Sequence, residues 1–92
     1  MNKTITVNET DVTSIIGQPW KVILFNDETH SMAEVAAQVD KATGCGLGQA
    51  TQLMLQAHCT GRAVVFTGSK ERAEHVENIL TEIRLGTKLE QA

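Results

Sequence analysis

The sequence predicts an α+β two-layer sandwich, in which a small three-stranded antiparallel sheet packs against three helices in the order β-α-α-β-α-β. Two short β-branched and aromatic runs, Trp20–Phe25 and Arg62–Thr67, read as strands. Three segments carrying apolar residues at helical spacing lie between and after them. With 92 residues and 41% hydrophobic content the chain has material for one core in one domain, so the few strands need a helical layer over one sheet face.

The elements follow in order. Residues 1–18 are mostly Thr, Asn, Ser and charges without sustained periodicity and run into Gly17-Gln18-Pro19, so they are expected to form a flexible N-terminal arm ahead of a domain at 19–92. Trp20–Phe25 is the first strand, closed by the turn-prone Asn26-Asp27. Ser31 and Glu34 fit a capping box, and Met32, Val35, Ala36 and Val39 give the helix behind it a one-sided apolar stripe that stops at Gly44 and Gly46. A second helix is expected from about Gln49 to His58, with Leu47, Ala50, Leu53, Met54 and Ala57 on one arc and Gly61 available for a left-handed end. Arg62–Thr67 is the second strand. Ser69 caps a third helix carrying Ala73, Val76, Ile79, Leu80 and Ile83 before Gly86. Thr87–Gln91, with Leu89 as its only large apolar residue, fits a polar edge strand.

Composition narrows the function classes. Eight basic residues against eleven acidic ones leave a net charge of −3, which provides no general field for nucleic acid or anionic lipid. The longest purely apolar runs, Val22–Phe25 among them, are far short of the roughly 18 residues that would span a bilayer, so no membrane contact is expected. The N-terminal residues lack a signal-peptide core, which gives a cytoplasmic reading. Cys45 and Cys59 match neither a disulfide framework nor a zinc pattern, and reduced thiols are expected. Neighbours such as His58 and Cys59 diverge on a helix and do not make a nucleophile–base dyad, so an enzyme is not expected, nor any metal or cofactor.

Two clusters remain. The loop Asn26-Asp27-Glu28-Thr29-His30 concentrates carboxylates and an amide between an apolar strand and a capped helix, where it serves either as a binding loop or simply as a chain reversal. Met54 and His58, four residues apart with Thr51 beside them, share one side of the second helix, either as part of a site or as core filler with a boundary histidine.

These same residues carry a resemblance. Trp20 through Glu28 with Met32, then Ala50-Thr51-Gln52-Leu53-Met54-Leu55-Gln56-Ala57-His58 and Gly61-Arg62-Ala63-Val64, make the chain similar to the ClpS family of protease adaptors over roughly residues 19–92. The resemblance implies an adaptor, not an enzyme, that binds N-degron substrates by a bulky hydrophobic first residue (Phe, Tyr, Trp or Leu). It also implies delivery to the AAA+ unfoldase ClpA, or its ClpC counterpart, coupled to the ClpP peptidase; separately, a monomer is expected when the protein is free. Asn26, Asp27 and His58 match the residues that hold the free α-amino group in the family. The family's hydrophobic pocket is bounded at positions matching Met32 and Met54, with Ile23, Glu28, His30, Thr51, Ala57 and Leu85 at its rim and neighbouring positions.

The residue chemistry suits that task. An α-ammonium has three donors and wants convergent acceptors, which Asn26, Asp27 and a neutral His58 can supply. Flexible, polarizable Met32 and Met54 can shape an apolar slot, while β-branched first residues should fit poorly. The chain departs from the family at Glu28, where Asp is usual, and at His30-Ser31-Met32-Ala33, where Thr-Pro-Met-Glu is common. The capping box therefore moves to Ser31 and Glu34, and first-residue preference is expected to shift, toward aromatics over Leu. Two other readings compete: an interaction module like the C-terminal domain of the ribosomal stalk protein, and an unfoldase regulator without N-degron binding.

Overall fold

The computed structural model describes residues 17–92 and orders them as β1 (Trp20–Phe25), α1 (Met32–Thr43), α2 (Leu47–Thr60), β2 (Arg62–Gly68), α3 (Lys70–Thr81) and β3 (Thr87–Gln91). This is the expected element order. The expected arm falls outside the described residues except for Gly17 and Gln18. The sheet is antiparallel with order β2-β1-β3, so the apolar first strand takes the centre and the polar last strand an edge.

Strand alternation divides β1 between two environments. Val22 and Leu24, both fully buried, face the helices and join Val39, Ala50, Ala73, Val76 and Leu80 in the core. Ile23 is buried as well but points to the opposite face, where pairing places it between Val64 of β2 and Lys88 of β3. Opposite β1 the register slips between Val22 and Ile23, leaving Val65 as an extra residue in β2. That bulge turns two successive side chains, Val65 and Phe66, toward the core.

Helix ends follow from local chemistry. At α1 the Ser31 hydroxyl accepts from the Glu34 amide at 3.1 Å and the Glu34 carboxylate accepts from the Ser31 amide at 3.0 Å, completing the predicted capping box. Helix α2 starts at Leu47 and ends at Thr60, longer at both ends than the expected Gln49–His58. Gly46 makes the early start possible: at φ 96° it hands its amide to Asp40 Oδ1 of α1 (2.8 Å), while its carbonyl accepts the first helical bond from Ala50. Gly61, at φ 99°, closes the helix in the expected left-handed conformation.

Helix α3 stops at Thr81, so Ile83 lies beyond it and not on its stripe. The stop is a Schellman motif without glycine: Arg84 takes φ 65°, its amide donates to the Thr81 carbonyl (2.9 Å), and the Leu85 amide donates to the Leu80 carbonyl (3.4 Å). Leu85 is thereby folded back into the core. No helix among the described residues is long and apolar enough to cross a membrane.

Candidate functional site

The C-terminal end of β1, the loop after it, the first turn of α1 and one face of α2 enclose a hollow of about 20 Å³, lined by Leu24, Phe25, Asn26, Asp27, His30, Met32, Val35, Met54, Ala57 and His58. Each part is positioned by backbone. The Phe25 amide donates to the Gly86 carbonyl (2.9 Å) and the Asn26 amide to the Gly61 carbonyl (3.0 Å), so the loop leaves the sheet from a fixed point. On α2, Met54, Ala57 and His58 stand at i, i+3 and i+4 and share one face. The capping box fixes where α1 begins, and Met32 occupies its first position.

The loop is locked from within. Asp27 Oδ1 accepts from the Thr29 hydroxyl at 2.7 Å and from the Thr29 amide at 3.1 Å, and Asp27 Oδ2 accepts from His30 Nδ1. Burial on its own would raise the Asp27 carboxyl, but the bonds from the Thr29 hydroxyl and amide and from His30 outweigh it, and the group titrates below the usual carboxylate value. Asn26 donates Nδ2–H to Glu28 Oε2 at 3.1 Å, which turns its amide so that Oδ1 remains an acceptor. Asn26, the ionised Asp27 and His58 all line the one hollow.

Polarity is separated along the depth of the site. Leu24, Val35, Met54 and Ala57, all buried, supply an apolar lining, while Asn26, Asp27, His30 and the exposed His58 supply the polar groups. Met32 is 47% exposed beside this opening. Such a site offers acceptors to a cation at its mouth and apolar surface behind it.

Of the residues expected to form the site, Asn26, Asp27, His30, Met32, Met54, Ala57 and His58 are brought together. Glu28 does not line the hollow but stands at its edge, bonded to Asn26. Three expected residues lie elsewhere. Ile23 faces the other side of the sheet because the strand period is two. Thr51, one turn before Met54, spends its hydroxyl on the Leu47 carbonyl at 2.8 Å. Leu85 is core, drawn in by the Schellman turn.

Sequence reasoning left out Leu24, Phe25 and Val35 as lining residues. Val35 was within reach of it, standing three residues after Met32 on the same helical face. Among the described residues, no three His, Cys, Asp or Glu side chains are grouped to hold a metal ion.

A family model described as ATP-dependent Clp protease adaptor protein ClpS matches residues 17–88. The ATP-dependent Clp protease adapter protein ClpS of Nocardia farcinica is 35% identical over 69 residues, covering 75% of this chain and 65% of its own length. Its counterpart in Mycobacterium marinum is 43% identical over 56 residues, covering 61% of this chain and 55% of its own length. The chain thus spans between about half and two thirds of the length of the curated relatives it matches. Among solved structures, Agrobacterium tumefaciens ClpS2 bound to L-phenylalaninamide has a TM-score of 0.76 at 22% identity, covering 82% of this chain and 98% of that one, a likeness of fold. By the extent of the family match, which takes in β1, the polar loop and all three helices, the chain belongs to the ClpS family of ATP-dependent Clp protease adaptors.

Proposed function

We propose that this chain binds polypeptides by a free α-amino group and a bulky hydrophobic first side chain, and delivers them to a Clp AAA+ unfoldase of the ClpA or ClpC type. The observation that carries the reading is the apolar hollow with Asn26, Asp27 and His58 at its mouth. An α-ammonium there would place its donors against a carboxylate, an amide oxygen and an imidazole nitrogen. L-phenylalaninamide, the ligand of the Agrobacterium ClpS2, combines such an amine with a benzyl side chain and supports the same reading.

Both halves are needed. Burying one large side chain gives about 1.5–3 kcal/mol and each charge-assisted bond about as much, against an association cost of at least about 4 kcal/mol. With three such bonds the favourable end of the sum is about −8 kcal/mol, which corresponds to roughly micromolar binding. Fluorescence anisotropy with Phe-, Tyr-, Trp-, Leu-, Ile- and Met-first peptides tests it, each peptide with a free or acetylated amine. Binding of bulky first residues is expected only with the free amine, and a Gly-first or acetylated peptide that still binds removes the mechanism. Recovery of a Clp unfoldase in a pull-down is expected for the delivery step. Recovery of translation factors, independent of any amine, would favour a stalk-like module instead.

A further inference from the structure

We infer that His30 is a positioning residue for amine capture: neutral, it holds the Asp27 carboxylate at the pocket mouth with that charge available, and protonated, it cancels that charge against an incoming ammonium. The inference deepens the proposed function and rests on it. Its basis is that His30 Nδ1 bonds Asp27 Oδ2 while the His30 ring itself lines the hollow, so one imidazole touches both the amine-binding carboxylate and the space the ligand enters. An ionised carboxylate can only accept, so the neutral ring carries its proton on Nδ1 and donates. The same nitrogen lies 3.1 Å from the Thr29 hydroxyl, which is itself committed to Asp27 Oδ1. Asp27 thus has both oxygens held, one by Thr29 and the other by His30.

The charged neighbours set the sign. Asp27, bonded to the ring, and Glu28, bonded to Asn26, carry negative charge in the loop, Glu34 in the first turn of α1 is bonded to Ser31, and His58 of α2 is the one other imidazole lining the hollow among the described residues. When His30 takes a second proton at Nε2, the His30–Asp27 pair becomes net neutral and the cation stands beside the ammonium site. Protonation of His58 removes an acceptor from the same site. Each event opposes amine binding, so peptide binding is coupled to proton release from these rings in acid.

The test is the pH dependence of anisotropy with one Phe-first free-amine peptide between pH 5.5 and 8, with circular dichroism at each pH to follow folding. For the unmodified protein, log Kd should rise toward acid, and for His30→Gln and for His58→Gln it should rise with a smaller slope. At pH 7.5, His30→Ala should bind several-fold more weakly, and His30→Gln, which still donates to Asp27, should recover most of that loss. A His30→Gln slope equal to that of the unmodified protein, or His30→Ala binding as tightly at pH 7.5, overturns the role of His30 and leaves amine recognition standing. Absence of binding to the unmodified protein at every pH overturns both.

Discussion

Replacing Asp27 by Asn removes one charge from the pocket mouth while leaving the loop's hydrogen bonds almost intact. An Asn carbonyl oxygen can accept from the Thr29 hydroxyl and amide as Asp27 Oδ1 does, at 2.7 and 3.1 Å. The Asn nitrogen in the place of Oδ2 can donate to His30 Nδ1 once the ring adopts its other tautomer. What is lost is the attraction for a cation. A carboxylate and an ammonium about 4 Å apart attract by about 4 kcal/mol at an effective dielectric near 20, and a net 1.5–3 kcal/mol is typical once desolvation is counted. The Kd of a Phe-first peptide at pH 7.5 should therefore rise by roughly 10- to 150-fold.

The same variant reports on folding. The Asp27 carboxyl, pushed up by burial but pulled down further by Thr29 and His30, titrates below its ordinary 3.8. Its contribution to stability is then present above that ordinary value and fades as pH falls through the lower folded value. Urea unfolding should show Asp27→Asn less stable than the unmodified protein at pH 7 and the gap closing in acid. A variant that remains folded yet binds the peptide within about threefold of the unmodified protein would refute the placement of this charge at the amine site.

Other outcomes follow from single contacts. Met32→Ala clears the half-exposed side chain beside the opening and should admit Ile- and Val-first peptides, and their continued exclusion in the anisotropy panel would place the gate elsewhere. Arg84→Gly relieves a left-handed residue at φ 65° in the turn after α3 and should raise stability to urea by about 0.5–1 kcal/mol, with unchanged peptide affinity. Leu80→Ala opens a cavity at a fully buried position and should cost about 2.5–5 kcal/mol in the same measurement.

The fold was readable where local signals and global packing agree. The apolar run of β1, the Ser31–Glu34 box and the Ser69 cap each specify one local outcome, and the structure realises all three. The end of α3 was not readable, because the left-handed turn there falls on an arginine; the Leu80 and Thr81 carbonyls and the burial of Leu85, all tertiary or medium-range features, set it. The polar residues of the candidate site were legible through the family resemblance and not from the loop or the α2 face taken alone, which read equally as a chain reversal and as core filler with a boundary histidine. The apolar half of the site was less so. Ile23, Leu24 and Phe25 look equally suited to a pocket in sequence, and only the direction in which β1 presents its alternate side chains separates Leu24 from Ile23.

The two halves of the site also differ in readiness. Asn26 and Asp27 are held by bonds to Glu28, Thr29 and His30, so the acceptors are in place before any ligand arrives. The hollow of about 20 Å³ behind them is room for about one water and far too little for a benzyl group. Its backing residues Val35, Met54 and Ala57 belong to packed helices, whereas Met32 stands 47% exposed at the first turn of α1. Met32 is therefore the element that must turn for a bulky side chain to enter, and an unbranched thioether side chain does so at small cost. On the proposed function, amine recognition would be preorganised and side-chain recognition formed on entry. A peptide without a free amine thus has no fixed contact to hold it while the slot opens, and loss of the amine should weaken binding more than exchange of one bulky side chain for another.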